Sequence, residues 1–139
     1  MEKVYTATAT SIGGRSGNIK SSDGVLDLNV RPPKQMGGPD GAYTNPEQLF
    51  AAGYAACFGS ALGHIALEKM KVRLSPVITA NVSLYKKDNG YQLGVELDIV
   101  VPNVSQQEAE ELAHAAHQFC PYSIATRNNI EVNLKVRTE

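Results

Sequence analysis

Residues 45–70, NPEQLFAAGYAACFGSALGHIALEKM, decide the architecture. The stretch opens with helix punctuation. Asn45 suits an N-cap, Pro46 the first helical position, Glu47 the positive end of the helix dipole, and Gln48 can reach back to the cap. The pattern predicts a helix running to about Met70 or Lys71. No Asp, Glu, Lys or Arg interrupts it from Gln48 to Leu67, which approaches the length of a membrane span. Gly53, Gly59, Gly63, Ser60, His64 and repeated alanines, without Lys/Arg flanks on both sides, argue instead for a buried central helix. Its middle is apolar on every side, so protein must surround it. A chain of 139 residues with one small sheet cannot easily wrap such a helix alone, which favours a homodimer.

On the N-terminal side, Lys3 to Ile12 is rich in Thr, Val and Tyr and reads as a strand. Gly13-Gly14-Arg15-Ser16-Gly17 is a glycine-rich turn. Asn18 to Ser21 and Val25 to Val30 flank Asp23-Gly24, a strong hairpin signal. Lys34 to Thr44 has loop composition. On the C-terminal side, Val77 to Tyr85 and Tyr91 to Val101 are β-rich runs joined at Lys86–Gly90. Ser105 and Glu108 form a capping box opening a second helix, whose apolar face is Ala109, Leu112, Ala113, Ala116 and Cys120. Pro121 stops that helix. Ile130, Val132, Leu134 and Val136 alternate with Glu131, Asn133, Lys135 and Arg137, a strand with one face buried. Three strands, a helix, two strands, a helix and a strand make an α+β protein, read as one domain over residues 1–139.

Composition narrows the function. Lys plus Arg total 13 against 14 Asp plus Glu, for a net charge of -1. That balance offers no electrostatic footprint for nucleic acid and no polybasic patch for anionic lipid. No signal-peptide pattern is visible at Met1–Tyr5, and the expected location is cytoplasmic. The 2 cysteines, Cys57 and Cys120, form neither a CxxC motif nor a small disulfide scaffold; in a reducing compartment they are inert thiols or a redox couple.

Context alone favours Cys57 as a small buried hydrophobe, since it lies among Ala55, Ala56 and Phe58. A nucleophilic thiolate there needs a positive partner, and no Lys or Arg occurs between Lys34 and Lys69. Cys120 closes a helix whose C-terminal dipole disfavours a thiolate, so it is the poorer nucleophile and the better resolving thiol. Core filler is again the plainer reading. Arg15, in its glycine turn, reads as solvated or as a guanidinium presented to a site. Glu47 has a sufficient explanation as a first-turn acid. His114, His117 and Cys120 share a helix face, but their spacing fits no zinc motif. His64 lies about 10 Å along the helix from Cys57, too far for a direct dyad. Ser60 and Ser123 lack a GxSxG context, and no glycine-rich nucleotide motif occurs.

Two segments add more. Thr44 to Phe58, TNPEQLFAAGYAACF, closely resembles the first cysteine motif of the organic hydroperoxide resistance proteins, a branch of the osmotically inducible protein superfamily. Cys120-Pro121-Tyr122-Ser123 with Ala125-Thr126-Arg127 resembles the second. Arg15 and the hairpin around Asp23-Gly24 match as well, so the resemblance covers essentially the whole chain. It implies an intertwined homodimer, with two antiparallel-type sheets or hairpins packed around the long apolar helix plus a second helix.

It also implies a thiol peroxidase that uses no metal or other cofactor. Cys57 would attack an organic hydroperoxide and become a sulfenic acid, and Cys120 would close an intramolecular disulfide. Arg15 would hold the thiolate, oriented by Glu47. Phe58, Tyr54 and neighbouring loop residues would favour bulky organic peroxides. A dithiol, of lipoyl type, would restore the thiols. The chain departs from the family pattern at Ser16, where Asp is usual, and at Ile124, where Asn is usual. These departures touch the pocket and leave the four proposed catalytic residues intact.

One geometric condition follows. An ideal helix separates Glu47 from Cys57 by about 15 Å along its axis. For one arginine to serve both, the helix must break or bend, and Gly53 is the expected place. The alternatives are a peroxidase of the osmotically inducible branch with other preferences, or a dimeric small-molecule-binding stress protein with inert thiols.

Overall fold

In the computed structural model, which describes Met1–Glu139, the first strands form around the turn that Asp23-Gly24 announces. The Asp23 carboxylate accepts from the Ser21 hydroxyl at 2.6 Å and the Val25 backbone N–H at 3.0 Å. β1 (Ala9–Ile12), β2 (Asn18–Ser21) and β3 (Asp27–Asn29) make an antiparallel sheet in the order β1-β2-β3. β1 is shorter than the expected run from Lys3. A strand needs a partner, and β2 offers only Asn18–Ser21, with pairing fading at Ser22 N–H to Thr8 O. Met1–Leu49 forms one compact unit and Phe50–Glu139 another. In the first, Val30 is the one buried apolar residue, while Ile12 and Val25 are 75% and 82% exposed.

α1 spans Pro46–Met70. Asn45 Oδ1 accepts the Gln48 N–H at 2.8 Å, as the cap pattern predicts, while Gln48 Oε1 turns outward to the Thr44 hydroxyl at 3.0 Å. The helix is unbroken, contrary to the expected break at Gly53. That glycine answers a packing demand instead: a Cβ there would lie 2.6 Å from the Tyr122 hydroxyl. Tyr54, Phe58, Ala61, Leu62, Ile65 and Ala66 are buried, while Ala52, Ala56, Ser60 and Leu67 remain exposed.

In the second unit, β4 (Val77–Lys87) and β5 (Gly90–Val101) pair antiparallel in full register from Val77↔Val100 to Lys87↔Gly90. α2 (Gln106–Phe119) opens with the expected capping box between Ser105 and Glu108. Its predicted face, Ala109, Leu112, Ala113, Ala116 and Cys120, is buried. Pro121 does end α2, but it also starts a short helix, α3 (Pro121–Thr126). Proline's fixed φ and missing N–H suit the first position of a new helix as well as a stop. β6 (Val132–Thr138) then lies parallel to β5, from Val95↔Val132 to Val101↔Thr138. The second sheet is therefore mixed rather than antiparallel throughout, because α2 and α3 form a crossover that returns the chain in the same direction. β5 sits in the centre, and Val95, Leu97, Ile99 and Val101 pack with the buried faces of α1 and α2 in one core.

Candidate active site

The chemistry-bearing residues gather in two groups, one in each unit. In the first, Arg15 occupies a single 3-10 turn, Gly14–Ser16, entered through Gly13. Gly17 closes the turn because a Cβ there would fall 1.7 Å from the Ile12 carbonyl oxygen. The tight loop presents the guanidinium to the first turn of α1. Arg15 Nη2 donates to Glu47 Oε1 at 2.7 Å, and Nη1 donates to Oε2 at 3.0 Å. This bidentate fork is the strongest geometry available to such a pair. The hydrogen bonds from Arg15 hold the Glu47 carboxyl below the usual glutamate range, against a smaller opposing effect of burial. Arg15 is raised in turn by the same bonds.

In the second unit, Cys57 and Cys120 come together. Both thiols are free, and Cys120 Sγ donates to Cys57 Sγ at 3.6 Å. A disulfide needs about 2.05 Å, so closure asks for a shift of less than two ångströms. Cys57 is half-buried in the fourth turn of α1, and Cys120 is fully buried between α2 and α3. Burial pushes the Cys57 thiol up, and the adjoining Cys120 adds to this. The backbone N–H of Tyr122 opposes them by donating to the Cys57 sulfur. A neutral thiol is a poor nucleophile.

Tyr122 also borders a cavity of about 740 Å³, whose apolar walls include Phe50, Leu93, Tyr122 and Ile130. Its backbone meets the sulfur while its ring faces the cavity. Phe50 packs edge-on against Tyr122 with centroids 6.0 Å apart. Tyr54 and Phe58, expected to meet a substrate, do not line this space; both are fully buried in the core. They occupy the inward stripe of α1, and the aromatic side chains lining the cavity are Phe50, Tyr91 and Tyr122.

Sequence reasoning also missed a polar cluster. Tyr54 Oη lies 2.7 Å from Ser123 Oγ, which lies 2.8 Å from His117 Nδ1. His117 and Cys120 thus each meet a neighbour, Ser123 and Cys57 respectively. His64 pairs instead with Glu68 at 3.5 Å and stacks on Phe119. The hint in the sequence was a tyrosine inside an otherwise apolar helix, since a buried hydroxyl requires a partner.

Comparison with known proteins gives this arrangement its lineage. The sequence pattern of the family described as OsmC-like protein matches residues 38–135. The chain belongs to the OsmC-like family. Organic hydroperoxide resistance protein-like 2 of Staphylococcus epidermidis is 46% identical over 98% of this chain and 97% of its own length. Organic hydroperoxide resistance protein OhrB of Bacillus subtilis is 48% identical over 96% and 98% respectively. Among OsmC-like crystal structures, the organic hydroperoxide resistance protein of Elizabethkingia anophelis, with thiocyanate bound, superposes with a TM-score of 0.92. That structure is 48% identical and covers all of both chains. The resemblance carried by the two cysteine motifs is therefore borne out over the full length.

Proposed function

We propose that this protein is a cysteine-based peroxidase that reduces organic hydroperoxides to alcohols. The observation that carries the reading is the 3.6 Å approach of two free thiols far apart in sequence. The Cys57 thiolate attacks one peroxide oxygen, and the O–O bond breaks. The other oxygen leaves with a proton as the alcohol, and the sulfur is oxidised by two electrons to a sulfenic acid. Cys120 sulfur then attacks Cys57 sulfur. The S–O bond breaks, hydroxide departs as water with a proton, and a disulfide remains. An external dithiol, of lipoyl type, returns two electrons and two protons. The apolar walls around Phe50 and Tyr122 support an organic substrate tail.

The first step requires a cation beside Cys57, and the Arg15–Glu47 pair is our candidate. Because α1 is unbroken, about 15 Å of helix rise separates Glu47 from Cys57. We therefore place the pair beside the thiol of a second copy, in a homodimer. The exposed side of α1, with Ala52, Ala56, Ser60 and Leu67, supports such an assembly. A cytoplasmic setting fits, since a reducing compartment keeps both thiols ready.

The reading is tested by mixing reduced protein with one equivalent of cumene hydroperoxide and recording intact and peptide masses within seconds. Loss of two hydrogens, mapped to a Cys57–Cys120 bond and reversed by dihydrolipoamide, is expected. Two persistent free thiols would end this reading.

A further inference from the structure

One buried hydroxyl joins all three helices beside the sulfurs. Ser123 belongs to α3; its Oγ meets Tyr54 Oη of α1 at 2.7 Å and His117 Nδ1 of α2 at 2.8 Å. Tyr54 and Ser123 are both fully buried. Each arm sits one helical turn from a sulfur, because Tyr54 precedes Cys57 by three residues, His117 precedes Cys120 by three, and Ser123 follows Cys120 by three. A second tie braces the same junction: Arg127 donates to the His117 carbonyl oxygen at 2.6 Å. Thr126 completes the cluster, lying 3.4 Å from Tyr54 Oη and donating to the Ser123 carbonyl oxygen at 3.2 Å. The Cys120 side chain takes no part in this cluster and meets only the Cys57 sulfur, at 3.6 Å. As the joint between α2 and α3, with φ −61° and ψ 125°, it takes its position from whatever holds those helices to α1.

We infer that Ser123 is a positioning residue that sets the Cys57–Cys120 spacing for disulfide closure, acting through Tyr54 and His117. A buried hydrogen-bonded hub of this kind is costly to leave half-satisfied, so the three helices hold one mutual arrangement. That arrangement keeps the sulfurs within a small shift of bonding distance. The role presupposes the two-thiol cycle only for its biological use; the spacing itself can be read without peroxide.

The experiment compares the parent with Ser123→Ala, Ser123→Thr and Tyr54→Phe by two measurements. The first is the equilibrium of the Cys57–Cys120 disulfide in dithiothreitol redox buffers. The second is rapid-quench mass spectrometry with cumene hydroperoxide, which separates sulfenic acid formation from disulfide closure. Ser123→Ala and Tyr54→Phe should make the disulfide easier to reduce by about tenfold in equilibrium constant, roughly 30 mV. Closure should slow by about tenfold, with sulfenic acid formation within about twofold of the parent. Ser123→Thr, which keeps the hydroxyl, should recover most of both losses. If Ser123→Ala fails to fold by circular dichroism, Tyr54→Phe and Ser123→Thr decide. Parent-like equilibrium and closure in the folded hydroxyl-deleting variants would overturn the inference. If the parent ignores peroxide while the redox equilibrium still shifts in the variants, the peroxidase reading fails and the positioning role stands.

Discussion

Cys57 and Cys120 differ in burial and neighbours, and the proposed cycle gives them different steps. Cys57 is half-buried and has the Tyr122 N–H on its sulfur, whereas Cys120 is sealed in the core. Cys120→Ser should retain the first oxidation but lose turnover and accumulate over-oxidised Cys57, seen as sulfinic acid by mass spectrometry. Cys57→Ser should show neither event. Glu47 makes a prediction about pH. Its pKa is depressed by the Arg15 hydrogen bonds, so its contribution to stability is present above the ordinary glutamate pKa of about 4.3 and is lost as pH falls through the lower folded value. Urea midpoints of the parent and Glu47→Gln should therefore differ near neutrality and converge as the pH drops below about 4. A constant gap down to the lowest pH would show that the ion pair stabilises nothing.

At the level of elements, the telling position is Gly53. Alanine there improves helix propensity by about 1 kcal/mol, yet its Cβ would meet the Tyr122 hydroxyl at 2.6 Å. Gly53→Ala should fail to raise the melting temperature. Paired with Tyr122→Ala, it should show a coupling of about 1 kcal/mol in urea unfolding, because the second change removes the clash. This residue also shows where sequence reading succeeds and where it stops. Caps, hairpin turns and the stripe from Ala109 to Cys120 are local patterns, and they were legible because each is decided within a few residues. Gly53 looks like a break until the tyrosine that needs its space arrives from a distant helix. Pro121 signals an end and a beginning equally well. The alternation in β6 states which face is buried but not the direction of its neighbour. The four proposed site residues were named through motifs; the sulfur separation and the Ser123 hub depend on packing between distant segments and have no local signature.

The molecule as a whole leaves much apolar surface uncovered. The first unit buries a single apolar side chain, Val30, while Ile12, Val25, Leu26 and Leu28 stay exposed. The proposed second copy would cover surface of this kind. If the Arg15–Glu47 pair serves the thiol of a second copy, two inactive variants should repair each other. Arg15→Ala mixed with Cys57→Ser, unfolded and refolded together, should regain about a quarter of parent activity, because half the dimers are mixed and each holds one intact site. No recovery in mixtures shown to contain mixed dimers would place the pair and thiol in one chain.

The parallel pairing of β6 with β5 has a consequence for how the protein is made. Val95 must wait for Val132, and both helices between them, before that pairing can form. Closing such non-local contacts is slow compared with forming a hairpin or a single helix. Synthesis proceeds at about 5–20 residues per second, so the segment bearing Cys57 exists for seconds before β6 has been made. During that interval β5 lacks its parallel neighbour. The topology thus acts as a timer: the second sheet is completed only once Val132 to Thr138 has been made.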